Sequence, residues 1–146
     1  MTRKLSVIFF SLICILSCGG ETVVRSSAYP TAQKRVERLK ELFVLRSDVK
    51  DAAYEIYDVN MNTRSIPGPT DRDYKIVLKV SLNDLEKWNE PEIITSLPQN
   101  YDWAEELLKG LDGWDLSGSI IQYANENKHM VIFKDTGVIL VRIVQH

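Results

Sequence analysis

Three strand-like runs in close succession constrain this chain more than any other feature. Ser119–Ala124, His129–Lys134 and Val138–Val144 are rich in Ile, Val, Tyr and Phe, and only short polar turns at Asn125-Glu126-Asn127 and Asp135-Thr136-Gly137 separate them. Such runs pair as strands, and connections this short allow only antiparallel neighbours. The segment predicts a three-strand meander. Upstream, Lys50–Val59 is β-rich through Tyr54, Ile56, Tyr57 and Val59. After it, Tyr74, Ile76, Leu78 and Val80 alternate with Lys75 and Lys79, the pattern of a half-buried strand with a wet face. The two runs predict a hairpin closed by a long loop, Asn60–Asp73.

Helical periodicity fills the gaps between strands. Ala32, Val36, Leu39 and Phe43 recur at helical spacing and predict a helix over 31–46, with Pro30 suited to its first position. Ser81 or Asn83 can cap a short helix through Trp88. Asp102 with Glu105 three residues on resembles a capping box. Trp103, Leu107 and Leu111 then mark one helical face, with Gly113 past the end. The order predicts an α+β fold. Its sheet has about five strands, mainly antiparallel, with an N-terminal helix and one or two middle helices packed on one face. The other face is expected to be partly wet. The expected core includes Phe43, Leu78, Val80, Leu107, Val131, Phe133 and Leu140.

The first residues carry a different message. Arg3 and Lys4 precede an apolar run from Leu5 to Leu16, broken only by Ser6 and Ser11. That run is far shorter than the ~20 residues that span a bilayer as a helix. Charge followed by a short apolar run is the layout of an export signal. It ends in Ile15-Leu16-Ser17-Cys18, then Gly19-Gly20. The tetrapeptide resembles the lipobox of bacterial lipoproteins, with Ile15 where Leu is usual. The resemblance covers the first 20 or so residues. It implies cleavage before Cys18, a diacylglycerol on its thiol and an acyl chain on its new amino group. One acyl chain holds a protein only marginally, whereas two or more hold it stably. Gly19, rather than Asp, after the cysteine implies outer-membrane sorting if the cell has two membranes. Residues 1–17 then form a signal peptide, 18–29 a flexible tether and 30–146 a single domain. Cys14 falls in the discarded segment, so no thiol remains to be oxidised after export.

Charge excludes one class of function. The chain has 18 Lys and Arg against 20 Asp and Glu. Arg3 and Lys4 leave with the signal, so the mature part is mildly acidic and has no electrostatic case for nucleic acid. Two histidines, one of them the last residue, lack metal-ligand spacing, and no cofactor is implied. Asp135-Thr136-Gly137 occurs in aspartic proteases at the end of an apolar strand. Here Lys134 and Val138 flank it, and it reads as a hairpin turn with Gly137 in the left-handed position. His129, after Asn125-Glu126-Asn127-Lys128, reads as an exposed side chain beside a turn. Trp88, Tyr101, Trp103 and Trp114 suit a core closed under a helix more than a ligand site.

Helix 31–46 carries Lys34, Arg35, Arg38, Lys40 and Arg46 against Glu37 and Glu41, a basic face near a membrane tether. The loop Asn60–Asp73 is the stronger candidate surface. Pro67-Gly68-Pro69 stiffens it, and Arg64, Asp71, Arg72 and Asp73 could meet charged groups on a partner. The expectation is an exported, lipid-anchored envelope protein that acts as a non-enzymatic binding module toward another envelope protein. The alternative is a small envelope hydrolase.

Overall fold

The computed structural model describes residues 23–58, 71–91 and 100–145. Strands β1 (Val23–Arg25), β2 (Val49–Asp58), β3 (Arg72–Val80), β4 (Ile120–Ala124), β5 (Lys128–Phe133) and β6 (Val138–Gln145) form one sheet. Their order is β1-β2-β3-β6-β5-β4, and every pairing is antiparallel. The class is α+β, with one strand more than the five expected. The long hairpin β2–β3 and the meander β4–β5–β6 join where β3 pairs with β6, in the register Ile76↔Val141 and Leu78↔Ile139. The added strand is β1, which lies on β2 with Val23 opposite Tyr57. Among the described residues, sheet structure begins at Val23. Of the span 18–29 expected as a flexible tether, Val23–Arg25 instead pair in the sheet and Ser26–Ala28 form a 3-10 turn.

Two α-helices and a second 3-10 helix complete the described residues: α1 (Ala32–Leu42), α2 (Asp102–Leu108) and Leu82–Trp88. Helix α1 starts later and ends earlier than the periodicity suggests. Thr31, not Pro30, closes its N-terminus, its Oγ1 accepting from the Lys34 N–H at 3.3 Å. Phe43 turns extended (φ −143°) and stops it. Asp102 is the first residue of α2 rather than its cap, and Asn100 Oδ1 accepts the Asp102 N–H at 3.0 Å instead.

The helices do not share a face, which corrects the expected layering. Val36 and Leu39 of α1 and Trp88 pack on Ala52, Tyr54, Ile76, Leu78, Ile132 and Ile139. Ala104 and Leu108 of α2 pack on the opposite face, on Ala53, Val77, Val131, Phe133, Val138 and Leu140. Tyr101, Trp103, Leu107, Leu111, Trp114 and Leu116 are partly buried beside them. Neighbouring strand residues point to opposite faces. The uninterrupted burial of Ile76-Val77-Leu78 and of Met130–Phe133 therefore requires cover on both sides. Of the expected core, Leu78, Val80, Val131, Phe133 and Leu140 are buried, and Phe43 and Leu107 are partly buried against it. The four aromatics of the middle segment divide the same way: Trp88 lies under α1, and Tyr101, Trp103 and Trp114 lie on the α2 face.

A buried ion pair fastens α1 to β2. Arg35, 7% exposed, donates through Nε and Nη2 to the two carboxylate oxygens of Asp51 at 2.9 and 2.8 Å. Beyond the short β1, side chains occupy the outer edge of β2. Asp51 Oδ1 takes the Ala52 N–H at 2.7 Å, and Ser26 Oγ takes the Tyr54 N–H at 2.9 Å. Capping edge donors in this way removes a template for a foreign strand. Tyr54 is fully buried and donates its hydroxyl to the Arg35 carbonyl at 3.2 Å. Burial pushes its pKa up to about 12.

Candidate functional site

The structure separates the charges that the sequence groups on one loop. Strand β3 begins at Arg72, so Arg72 and Asp73 are sheet residues rather than loop residues, which corrects their assignment to the loop. They point to opposite faces. Arg72 Nε lies 3.2 Å from Asp58 Oδ2, and the Tyr74 hydroxyl donates to the same oxygen at 3.0 Å. Asp73 Oδ2 accepts from Arg142 Nη2 at 3.1 Å. Asp71 is exposed immediately before the strand. Arg64 and Pro67-Gly68-Pro69 lie outside the described residues, as do Cys18 and the signal segment.

Arg142 belongs to a wider ionic row. Helix α2 covers only part of its sheet face. Across the rest, Arg25, Glu55, Lys75, Arg142 and His129 occupy directly opposed positions on β1, β2, β3, β6 and β5. This is the wet part of the face that the alternation of Lys75 with apolar residues predicts. Glu55 accepts from Arg25 Nε at 2.8 Å and from Lys75 Nζ at 3.1 Å. Burial pushes the Glu55 pKa up, but the hydrogen bonds from Arg25 and Lys75 outweigh it and hold the carboxyl below its usual value.

His129 is half-buried rather than exposed beside a turn. Its Nε2 sits 3.3 Å from Oε1 of Gln122, itself only 5% exposed. Burial lowers the imidazole pKa. A neutral ring that donates to an amide carbonyl cross-links β4 to β5, and this hydrogen bond uses one of its two nitrogens.

A second polar cluster lies on the α1 face, where the 3-10 helix Leu82–Trp88 ends. Glu90 Oε1 accepts from Lys128 Nζ at 2.6 Å and from Arg46 Nη2 at 2.5 Å. The Lys128 hydrogen bond, with the Arg46 one behind it, lowers the Glu90 pKa against the opposing effect of burial. The Arg46 guanidinium carbon also lies 5.9 Å from the centre of the Trp88 ring. The Trp88 indole donates to Ser47 Oγ at 3.0 Å, and the Tyr123 hydroxyl donates to Asn89 Oδ1 at 2.9 Å. Beside this cluster is a cleft of about 110 Å³ lined by Glu90, Pro91, Tyr123, Ala124, Asn125, Lys128 and Met130. A carboxylate held by two cations is a weak base, so the cluster is suited to fastening three chain segments and not to moving protons. No local sequence signal marks Glu90, because its partners lie 44 and 38 residues away.

The same pairing thins the basic face expected on 31–46. Arg35 is spent on Asp51, Arg38 pairs with Glu41 and Arg46 with Glu90. Asp135-Thr136-Gly137 forms a turn. Asp135 Oδ2 accepts the Ser119 N–H at 2.6 Å, and Gly137 has φ +71° with its carbonyl accepting from Val80 N at 2.9 Å. A Cβ at Gly137 would lie 2.6 Å from the Val80 carbonyl oxygen, so this site demands glycine twice over. Among the described residues, no group of three or more His, Cys, Asp or Glu side chains could hold a metal ion. Among them also, no helix is long and apolar enough to cross a membrane. Set against protein-family models, curated proteins and solved structures, the chain matches none.

Proposed function

We propose that this chain is a lipid-anchored protein of the bacterial envelope, held to the membrane through Cys18, whose folded domain is a non-enzymatic binding module for another envelope protein. The observation that carries the reading is Ile15-Leu16-Ser17-Cys18 at the end of a basic, then apolar leader. Export and outer-membrane residence, where the cell has two membranes, follow from the same resemblance.

Support for binding over hydrolysis comes from how the polar groups are used. His129 bonds to Gln122, Glu90 is held by Lys128 and Arg46, Asp73 pairs with Arg142, and Asp135 caps a backbone N–H. Each group joins two parts of the fold. The test of the anchor is to express the full chain beside Cys18→Ala and separate membrane from soluble fractions. The native chain should sediment with membranes, and the variant should be soluble or unprocessed. Identical fractionation and processing of the two would overturn the anchor. Turnover of simple ester or glycoside substrates by the purified domain, lost in His129→Ala, would favour the hydrolase instead.

A further inference from the structure

The fold determines which way such an anchor would turn the domain. Between Cys18 and Val23, the first sheet residue among those described, lie only Gly19, Gly20, Glu21 and Thr22. Five residue steps reach at most ~18 Å even when fully extended. Val23 is not at an arbitrary place. It pairs with Tyr57, Tyr57 with Asp73, Asp73 with Val144, and the Val144 N–H donates to the Asn127 carbonyl. This row crosses the sheet at one end. The opposite end carries Val49, Val80, Val138, Phe133 and Ile120. At ~3.3 Å per residue, the nine residues of β3 separate the two ends by roughly 25 Å. Strand β1 runs away from the Val23 end, so the described chain enters the sheet at that end.

We infer that the sheet end carrying Val23, Tyr57, Asp73, Val144 and Asn127 faces the lipid surface, with the Val80–Val138 end turned away from it. The inference rests on the lipid-anchor reading above. Charge is not what turns the domain. Arg25, Arg72 and Arg142 at or near this end pair with Glu55, Asp58 and Asp73. The shortness of the chain between anchor and sheet is what does it. Asp58, which pairs with Arg72, and Asp71, which precedes Arg72, belong to the same end. A partner approaching from solution therefore meets the far end first, where Leu82 is 55% exposed.

The experiment uses the full lipidated protein, isotope-labelled, in nanodiscs of phosphatidylethanolamine and phosphatidylglycerol doped with a headgroup-nitroxide lipid. Paramagnetic broadening falls with the sixth power of distance. The amides of Tyr57, Asn127 and Val144 should broaden about tenfold more than those of Val80, Lys134 and Val138, given the ~25 Å between the ends. An insert of about ten Gly and Ser residues after Gly20 should erase much of that contrast. Equal or reversed broadening in protein whose Cys18 carries lipid by mass spectrometry overturns the orientation. Absence of lipid on Cys18 overturns the anchor reading on which it rests.

Discussion

Removing Asp51 should cost this fold more than removing any surface charge. Asp51 takes both forks of Arg35, and the two side chains are only 18% and 9% exposed. Deleting one partner of a buried pair costs about 3–5 kcal/mol, because the remaining charge stays desolvated. The residual exposure of Asp51 lets water reach the guanidinium, which favours the low end. Asp51 Oδ1 also accepts the Ala52 N–H, a bond worth about 1 kcal/mol net. Asp51→Ala should therefore destabilise by about 3–4 kcal/mol. In a urea melt followed by tryptophan fluorescence, a slope of about 1.5–2 kcal/mol per molar moves the midpoint down by roughly 2 M. Arg35→Met in the same chain removes the stranded charge. The double variant should recover more than half of the loss, since a buried pair replaced by apolar groups is often neutral. A single variant within about 0.5 kcal/mol of the parent, the ordinary range for surface substitutions, would refute the argument. So would a double variant no more stable than Asp51→Ala.

Glu90 has its pKa lowered by Lys128 and Arg46, so its stabilisation is full above the unfolded value of about 4.3 and is lost as pH falls through the folded value. The difference in Tm between the native chain and Glu90→Gln should thus shrink from pH 6 to pH 3, and a difference unchanged by pH would contradict the ion-pair role. Leu78→Ala, at a fully buried site, should cost about 2–5 kcal/mol, and the partly buried Leu107 less. Equal costs would show that the α2 face is as tightly closed as the α1 face. Arg72→Ala should cost about 1 kcal/mol, discounted because Arg72 is 41% exposed although Asp58 is buried. A wholly silent change would place Arg72 back in the loop.

Much of this fold is legible in the sequence, and the exceptions have physical causes. The strands of the hairpin and meander announce themselves through β-branched and aromatic runs bounded by Gly, Asn and Pro. Strand β1 does not, because Val23-Val24-Arg25 is too short to show a period and is a strand only by pairing with β2. The two-sided cover of the sheet was available in Ile76-Val77-Leu78 and Met130–Phe133. Alternation with Lys75 and Lys79 points to a partly wet face without showing that a helix covers the rest, and that face is divided between α2 and the ionic row. Helix α1 is legible from Val36 and Leu39, but its ends are set by a Thr31 hydroxyl and an extended Phe43, which periodicity does not register. The clusters around Glu90 and Arg35 were not legible. Their partners come from distant segments, and only the folded sheet brings them together. In the sequence Arg72 and Asp73 adjoin Asp71 and group with it as one charged loop. A strand that starts two residues earlier, at Arg72 rather than Tyr74, sends them to opposite faces.

Lipid anchoring at Cys18 is decided by the mass of the N-terminal peptide of the mature protein, isolated from membranes of cells that express it. The expected mature chain begins at Cys18, with a diacylglycerol on sulfur and an acyl group on the amino nitrogen. A mature chain that begins elsewhere, or a Cys18 with an unmodified thiol, would contradict it.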